Sequence, residues 1–380
     1  MRGIHVLSAV AAPAGFDLFS RFDLEASGAR IPAMEGLRAY AVLLTFCVHF
    51  FGAWLLQFRG IDTGATSLSD LPRNTDRVLA WLQMSPYGVY LFFILSGFLI
   101  CRLVGNARHF SYPRFLWRRL CRIYPAFLLA LALGIAVFSL YAGWAPFSWR
   151  GVIANVLLLN GVREFGVVPF LQQTWSLFNE IVFYLVFPML LLLRPLGVWS
   201  VPWGVALAGI VLVYIPFALG WGQALYLLFF AGATAARFDD GRLSAFARRM
   251  PEWLVVILYL GVTTAIACKA VSDHVAIWLY ALTGTLLVIQ ACYGTGWLNR
   301  LFAWRPMRRI GNVSYSLFLV HTVPIFFVVY VLGPTWFTSS GLAAALLGAL
   351  VALVAALILA AILFLIAERP YFMAQRRKHA

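Results

Sequence analysis

The sequence predicts an all-α integral membrane protein that crosses the bilayer about ten times, with both termini on the cytoplasmic side. Of its 380 residues, 63% are hydrophobic and only 11% are charged. Soluble proteins carry roughly 45–50% apolar and about 25% charged residues, so the soluble globular class is excluded. The apolar residues also collect into runs of about 20, the length that a helix needs to cross a bilayer.

Ten such runs follow one another along the chain. They cover residues 36–57, 86–104, 122–142, 174–193, 201–219, 222–237, 252–270, 275–293, 311–332 and 342–367. The stretch 151–160 is too short to span and predicts a surface or re-entrant helix. We therefore expect a cytoplasmic N-terminal segment at 1–33, one transmembrane domain at 34–370 and a basic cytoplasmic tail at 371–380.

The charge distribution tests this topology independently. The formal net charge is +15, from 29 basic and 14 acidic residues. With ten spans and a cytoplasmic N-terminus, 22 basic residues fall on the inner side and six on the outer side, and Arg38 lies within the first span. This asymmetry is what the positive-inside rule expects, so the positive charge indicates a bacterial cytoplasmic (inner) membrane rather than a nucleic-acid partner.

Several classes of site are excluded because the sequence lacks the motifs that would build them. Neither of the two lysines follows a glycine, so no phosphate-binding P-loop is present. The five cysteines are at least 20 residues apart, and no histidine precedes a glutamate, so CxxC and HExxH metal motifs are absent. We expect no metal.

The first span, MEGLRAYAVLLTFCVHFF, carries ionisable groups where lipid disfavours them. Arg38 and His49 are eleven residues apart, or about three helical turns, so both project from one face, and Glu35 lies near the same stripe. Imidazole accepts and donates protons near neutral pH, as a general base must. The structural alternatives are an interfacial arginine and a histidine that only contacts a neighbouring helix.

The fourth span, which begins QQTWSLFNEIVFYLVFP, carries a polar stripe. Ser176, Asn179 and Glu180 stand at i, i+3 and i+4. We expect Glu180 at the depth of His49, where a carboxylate orients an imidazole as in hydrolytic triads. The alternative is a structural carboxylate. Two aromatic residues, Trp175 and Tyr184, are candidates for stacking on a sugar or for anchoring in the membrane interface.

Two further stretches complete the candidate site. In RRIGNVSYSLFLVHTVPIFF, His321 lies near the middle of the membrane and Tyr315 precedes it, which places both as candidates for lining a cavity. The most basic stretch is SYPRFLWRRLCRIYP, whose closely spaced arginines suit a phosphate ligand or ordinary membrane anchoring. Its candidate phosphate ligands are Arg118, Arg119 and Arg122.

These segments together resemble the membrane-bound acyltransferase 3 family. The matching segments are MEGLRAYAVLLTFCVHFF, GVYLFFILSGFLI, FLWRRLCRIYP, TWSLFNEIVFYLVFP and IGNVSYSLFLVHTVPI, followed by ERP at Glu368–Pro370. They span residues 34–370. The resemblance departs at Glu35, where the family commonly has an aspartate that keeps the same charge.

The resemblance implies an enzyme that moves an acyl group, usually acetyl, from cytoplasmic acyl-CoA to a hydroxyl of a cell-surface glycan, an exopolysaccharide or a glycosylated metabolite. The family's Arg-x10-His pattern falls on Arg38 and His49, and its glutamate falls on Glu180. Its basic element falls on Arg119 and Arg122, expected with Arg118 to hold the CoA phosphates. His49 is then the general base or a transient acyl carrier, supported by Glu180.

A second class of function remains open from the residues alone. A proton-coupled secondary transporter or flippase also uses buried Arg, His and Glu side chains. The arginine cluster, suited to an anionic co-substrate, and the resemblance favour the acyltransferase. The sequence does not identify the acceptor, the acyl chain or the oligomeric state.

Overall fold

A computed structural model describes residues 22, 31–64, 66–72, 74–84, 87–105, 110–139, 141, 148–162, 165–189, 202–218, 224–337 and 341–377. Every regular element within these ranges is helical, which confirms the all-α prediction. Most of the predicted N-terminal segment and the last three residues of the predicted tail lie outside the described residues.

Eighteen α-helices follow one another along the described chain. They are α1 (Pro32–Arg59), α2 (Thr75–Met84), α3 (Gly88–Gly105), α4 (Tyr112–Gly134), α5 (Trp149–Val156), α6 (Thr174–Val186), α7 (Pro202–Ala218), α8 (Tyr226–Ala235), α9 (Asp240–Arg249), α10 (Glu252–Ala267), α11 (Asp273–Tyr293), α12 (Trp297–Ala303), α13 (Arg305–Asn312), α14 (Ser314–Val320), α15 (Thr322–Phe326), α16 (Gly333–Trp336), α17 (Leu342–Leu363) and α18 (Arg369–Arg377). Three π-helical segments, Ile135–Ser139, Phe327–Leu332 and Phe364–Glu368, extend α4, α15 and α17.

Six helical stretches in the described residues are long and apolar enough to cross a membrane. They are Pro32–Arg59, Thr75–Gly105, Tyr112–Ser139, Asp273–Tyr293, Ser314–Trp336 and Leu342–Ala374. α9 and α10, bent by 87°, make a seventh if they form one broken span, and α7 and α8 contain shorter apolar helices. The chain is a multi-pass membrane protein. The predicted count of ten spans is not confirmed, and the side on which the termini lie stays a prediction.

α1 lies at the centre of the bundle, packed against α2, α3, α11, α12, α13 and α14. Glycines allow the closest of these approaches. A Cβ on Gly36 would overlap the Phe302 carbonyl oxygen, and one on Gly311 would overlap that of Glu35. Helices in lipid associate through such close packing of small residues rather than through the hydrophobic effect. α1 is thus fixed from several sides, and so are the polar groups that it carries.

A second glycine-mediated crossing joins α3 to α8. Gly97 lies against the Phe229 carbonyl and Gly232 against that of Ile94, so a side chain at either position would push the two helices apart. This crossing sets the position of α3.

Two long-range polar contacts position α14. The Gln173 Nε2, just before α6, donates to the backbone oxygens of Phe318 at 3.2 Å and Leu319 at 2.8 Å. The buried Glu368 accepts from the Ser316 backbone N–H at 3.1 Å and from its hydroxyl at 2.5 Å. Because an unpaired polar group in an apolar interior is costly, these contacts fix α14 relative to α6 and the π-helical end of α17.

The predicted non-spanning helix is present as α5, which has eight residues. The Ser148 side chain caps its start by accepting from the Gly151 N–H at 3.0 Å. Asn155 then ties the helix to the chain that leads into α6, because its side chain donates to the Val168 oxygen and accepts from the Phe170 N–H. α5 therefore supports the approach to α6.

Candidate active site

The two polar residues predicted on α1 both face cavities, but different ones. Arg38 lines a cavity of about 100 Å³, hereafter the arginine cavity. His49, about 16 Å farther along the helix axis at 1.5 Å per residue, lines a second cavity of about 390 Å³, hereafter the histidine cavity. The two cavities share Val89 in their walls. α1 therefore connects a narrow cationic cavity to a wider one.

The arginine cavity is built from α1, α3, α4, α6 and α14. Its charged lining residues are Arg38, Arg119, Arg122 and Glu180, and its neutral polar lining residues are Ser96, Ser176, Tyr184 and Tyr315. Three cations face one carboxylate, so the cavity wall carries a net positive charge. Such a wall attracts an anionic ligand.

Aromatic rings and hydrogen bonds order these charged groups. The Arg119 guanidinium lies over the rings of Phe115 and Tyr184, at 5.4 and 5.6 Å from their centres. The Glu180 Oε1 accepts from the Ser96 hydroxyl at 2.9 Å and from the Tyr184 hydroxyl. Because Arg119 and Glu180 are both held by Tyr184, the positive and negative groups of this cavity form one connected cluster.

The histidine cavity has neutral polar and aromatic walls. Among its described lining residues, Lys269 is the only one with a charge outside the imidazole. Threonine, glutamine and aromatic side chains supply the rest of its polar character: Thr45, Thr63, Thr66, Gln83, Tyr87, Tyr90, Gln173 and Trp175. Walls of this kind combine hydrogen-bonding groups with aromatic faces and suit a polar, uncharged ligand.

A third cavity, of about 500 Å³, also reaches His49 and is hereafter called the apolar cavity. It shares Val48, His49 and Gln83 with the histidine cavity. The rest of its wall is mostly apolar, from residues such as Ala53, Leu56, Phe138, Phe170, Ile325 and Phe326. His49 thus stands where a polar cavity and an apolar cavity meet.

The His49 imidazole contacts a second imidazole. Its Nδ1 lies 2.9 Å from Nε2 of His321 and 3.0 Å from the Thr45 backbone oxygen. His321 is fully buried, and its own Nδ1 lies 2.8 Å from the Phe318 oxygen and 3.1 Å from the Leu317 oxygen. The two rings form a dyad that joins α1 to the junction of α14 and α15.

This geometry corrects the predicted pairing of His49 with Glu180. The sequence predicts that the two lie at similar depth, but Glu180 lines the arginine cavity and bonds to Ser96 and Tyr184. The partner of His49 is His321, for which the sequence predicts only a place in a cavity wall. Helix periodicity gave the face on which Glu180 lies but not the neighbour that this face meets.

Other predicted residues divide between the two cavities. Trp175 lines the histidine cavity, whereas Ser176, Tyr184 and Tyr315 line the arginine cavity. The two aromatic residues proposed to stack on one sugar, Trp175 and Tyr184, therefore do not face the same cavity. The Tyr315 hydroxyl donates to the Ile123 backbone oxygen at 2.9 Å and ties α14 to α4.

Three predicted residues lie outside the described walls of these cavities. Arg118 is exposed and is not among the described residues that line the arginine cavity, so this cavity gives its predicted place in the phosphate site no support. Glu35 accepts from the Arg308 Nε at 3.0 Å and joins α1 to α13, which is a structural role. The buried Asn179 donates to the Trp175 backbone oxygen at 2.9 Å within α6.

Three residues near the site are not predicted from the sequence: Ser96, Gln173 and Glu368 in its contact with Ser316. Gln173 and Ser96 are neutral polar residues in apolar stretches, and that contrast is the signal that could have found them. Glu368 appeared only as part of ERP. In the structure it bonds to Ser316, and Arg38 and Arg122 are near enough for their charges to act on it.

Comparison with known proteins decides the family. The model of the Acyl_transf_3 family, described as an acyltransferase domain, matches residues 31–365. The chain belongs to the acyltransferase 3 family. The resemblance predicted from the sequence is thereby confirmed.

Several relatives are named as acyltransferases or O-acetyltransferases. The putative peptidoglycan O-acetyltransferase YrhL of Bacillus subtilis is 24% identical over 77% of this chain and 48% of its own length. The peptidoglycan O-acetyltransferase OatA of Listeria monocytogenes is 23% identical over 77% of this chain and 49% of its own. The acyltransferase MdmB of Streptomyces mycarofaciens is 29% identical over 50% of this chain and 46% of its own.

The chain spans about half the length of these curated relatives. No solved structure matches it.

Proposed function

We propose that this protein transfers an acyl group, usually acetyl, from acyl-CoA to a hydroxyl of a carbohydrate. The observation that carries the proposal is the pair of cavities along α1, one lined by arginines and the other by His49, with Val89 in both walls. An acyltransferase needs a site for an anionic donor next to a base that activates a hydroxyl. The two cavities supply these two functions on one helix.

The donor site is the arginine cavity. Guanidinium groups bind phosphate through several directed hydrogen bonds, and Arg119 and Arg122 come from consecutive turns of α4. Because the cavity measures only about 100 Å³, it suits the slender pantetheine arm, while the charged nucleotide end stays at its arginine-lined mouth. Arg38 lies farther along the path from these arginines to His49.

The chemical step takes place at His49. As a general base, the imidazole accepts the proton of the acceptor hydroxyl while the hydroxyl oxygen attacks the thioester carbonyl. The carbon–sulfur bond breaks, and the proton passes to the leaving CoA thiolate. As an acyl carrier, the imidazole would instead take the acyl group from sulfur and then pass it to the hydroxyl.

The acceptor site is the histidine cavity. The aromatic faces of Tyr87, Tyr90 and Trp175, with the amide of Gln83, suit a sugar because they combine stacking surfaces with hydrogen-bonding groups. The names of YrhL and OatA, both peptidoglycan O-acetyltransferases, support a peptidoglycan-type glycan as the acceptor. The name of MdmB, an acyltransferase, supports only acyl transfer.

The membrane arrangement belongs to the same proposal. The positive-inside rule supports a bacterial cytoplasmic membrane, both termini inside and about ten spans. In that orientation the arginine cavity faces the cytoplasm, where acyl-CoA is made, and the histidine cavity faces the outer side. The acyl group would then cross part of the bilayer within the protein.

The test is transfer of label. Purified protein in liposomes is incubated with radiolabelled acetyl-CoA and peptidoglycan fragments or other cell-envelope glycans, and we expect label in an alkali-labile ester on the glycan. Acetyl-CoA that stays intact while protons or a glycan cross the membrane would favour the transporter or flippase instead.

A further inference from the structure

His321 holds a buried position that the proposed reaction has not yet used. It stands at the junction of α14 and α15, and none of its side chain is exposed. Both of its ring nitrogens lie within hydrogen-bond distance of a partner. The identities of these partners determine where the protons of the dyad lie.

The Nδ1 of His321 faces two backbone carbonyl oxygens, those of Phe318 at 2.8 Å and Leu317 at 3.1 Å. A carbonyl oxygen only accepts hydrogen bonds, so the proton of a neutral His321 ring is on Nδ1. The Nε2 of the same ring then carries a lone pair and accepts.

That lone pair points at Nδ1 of His49, 2.9 Å away. The Nδ1 of His49 also faces the Thr45 backbone oxygen at 3.0 Å, which is another group that only accepts. Both neighbours therefore require a proton on Nδ1 of His49. Its Nε2 is left with the free lone pair, on a ring that lines the histidine and apolar cavities.

The opposite assignment brings lone pairs together. If either neutral ring carried its proton on Nε2, its Nδ1 lone pair would face a carbonyl oxygen with no hydrogen between them. Burial in an apolar surrounding makes such unmade hydrogen bonds costly. One arrangement of protons thus satisfies all four contacts.

We propose that His321 is a positioning residue that fixes Nε2 of His49 as the reacting nitrogen and stabilises the extra proton that His49 receives. The proposal rests on the proposed function. When Nε2 of His49 accepts the hydroxyl proton, its Nδ1–H donates more strongly to Nε2 of His321, and the charge spreads over both rings. The proton then returns from Nε2 of His49 to the CoA thiolate, so the dyad ends the reaction unchanged.

A neutral partner suits this place in the molecule. The carboxylate of a hydrolytic triad would add a charge that an apolar membrane interior disfavours, whereas a neutral imidazole adds none between turnovers. The backbone oxygen of Phe318 that accepts from His321 also accepts from Gln173 at 3.2 Å. His321 is thus held by α14 and α6 together.

Two substitutions distinguish the roles of the two ring nitrogens of His321. In His321→Gln the amide oxygen reaches the position of Nε2 and accepts from His49, whereas in His321→Asn the amide reaches only the position of Nδ1 and donates to the carbonyls. We expect His321→Gln to retain most of the acyl-transfer rate, and His321→Asn and His321→Leu to lose about 10- to 100-fold, the worth of one hydrogen bond to a charged group.

Two controls distinguish a specific loss of the hydrogen bond from a general disturbance of the packing around His321. Val320→Ala removes buried volume from the same helix, because Val320 is 2% exposed, and should keep the wild-type rate. Acyl-CoA affinity, which depends on the other cavity, should stay unchanged in all the His321 variants that fold. Equal rates in His321→Gln and His321→Asn, or a wild-type rate in His321→Leu, would overturn the proposal.

A spectroscopic readout is independent of the reaction. Among the six histidines, ¹⁵N NMR identifies His49 by the signal that disappears in His49→Ala. We expect a protonated Nδ1 and an unprotonated Nε2 for His49 in the resting protein. A proton on Nε2 would refute the assignment, and if the protein transferred no acyl group, this measurement would still decide the dyad.

Discussion

The arginine cavity and the histidine cavity face the same helix, yet they handle charge in opposite ways. The first is narrow, at about 100 Å³, and is lined by three cations and one carboxylate. The second, at about 390 Å³, is mostly neutral, and its imidazole bonds to another imidazole. The protein therefore concentrates charge in the cavity where we propose that an anionic donor binds, and it keeps most charge out of the cavity that holds His49, the proposed base.

The physical reason is the cost of charge in an apolar interior. An ionised side chain there is tolerated only when it is paired or hydrated. Glu180 and Glu368 lie close to the arginines and offset part of their charge, whereas the histidine dyad satisfies its hydrogen bonds without any net charge. Each cavity is therefore suited to a different ligand.

The largest expected effect on the transfer rate comes from a substitution in the histidine cavity alone. His49→Ala should reduce the acyl-transfer rate by about 10²- to 10⁴-fold, which is the usual contribution of a positioned general base. Acyl-CoA affinity should not change, because the donor contacts the other cavity. Transfer is measured with radiolabelled acetyl-CoA and affinity by titration in detergent, with His274→Ala as a histidine control. Full activity of His49→Ala would remove the catalytic assignment.

The next largest effect, on acyl-CoA binding, comes from substitutions in the arginine cavity alone. Arg119→Ala and Arg122→Ala should each weaken acyl-CoA binding by about 10- to 100-fold, since a charge-assisted hydrogen bond contributes about 1.5–3 kcal/mol. Arg118→Ala, which changes an exposed arginine one residue from Arg119, should weaken binding by less than about threefold. Unchanged binding in the double Arg119, Arg122 variant would remove the phosphate role, and equal losses at all three arginines would support the predicted place of Arg118 in the site.

A smaller effect is expected at the boundary between the cavities. Val89 lines both of them, so a larger side chain there should hinder the passage of the acyl group. Val89→Phe should lower the transfer rate by about tenfold, because the bulkier ring would displace the thioester from His49, and a misplacement of about 1 Å can cost about 100-fold in rate. Acyl-CoA affinity should remain, and Val89→Ala should transfer at a rate near that of the wild type. A wild-type rate for Val89→Phe would mean that the acyl group takes another path.

The smallest effect compares two aromatic residues. Trp175→Ala should raise the KM for the carbohydrate a few-fold and leave acyl-CoA affinity unchanged, since one stacking contact contributes about 1 kcal/mol. Tyr184→Phe, which removes a hydroxyl donor to Glu180 in the other cavity, should alter acyl-CoA affinity and leave the carbohydrate KM unchanged. If both variants changed the carbohydrate KM, or both changed the acyl-CoA affinity, the two cavities would not bind separate ligands.

Much of the fold follows from the sequence because it depends on local properties. Long apolar runs must form helices in a bilayer, where every backbone group needs an internal partner. The spacing of Arg38 and His49 fixed their common face, and α5 was recognisable as too short to span. The number of spans was harder to predict, since α7, α8 and α10 are helical but shorter than the six clear spans.

The membrane class, the helical fold, the family resemblance and the ionisable residues that require an explanation all follow from the residues alone. The contacts between side chains depend on the folded bundle, in which His49 meets His321, 272 residues away, and Glu180 meets Ser96 and Tyr184 rather than His49. Periodicity gives the face of a helix on which a side chain lies. The neighbour of that face depends on how far each helix is shifted along its axis, which close backbone contacts at glycines such as Gly36, Gly97 and Gly232 establish.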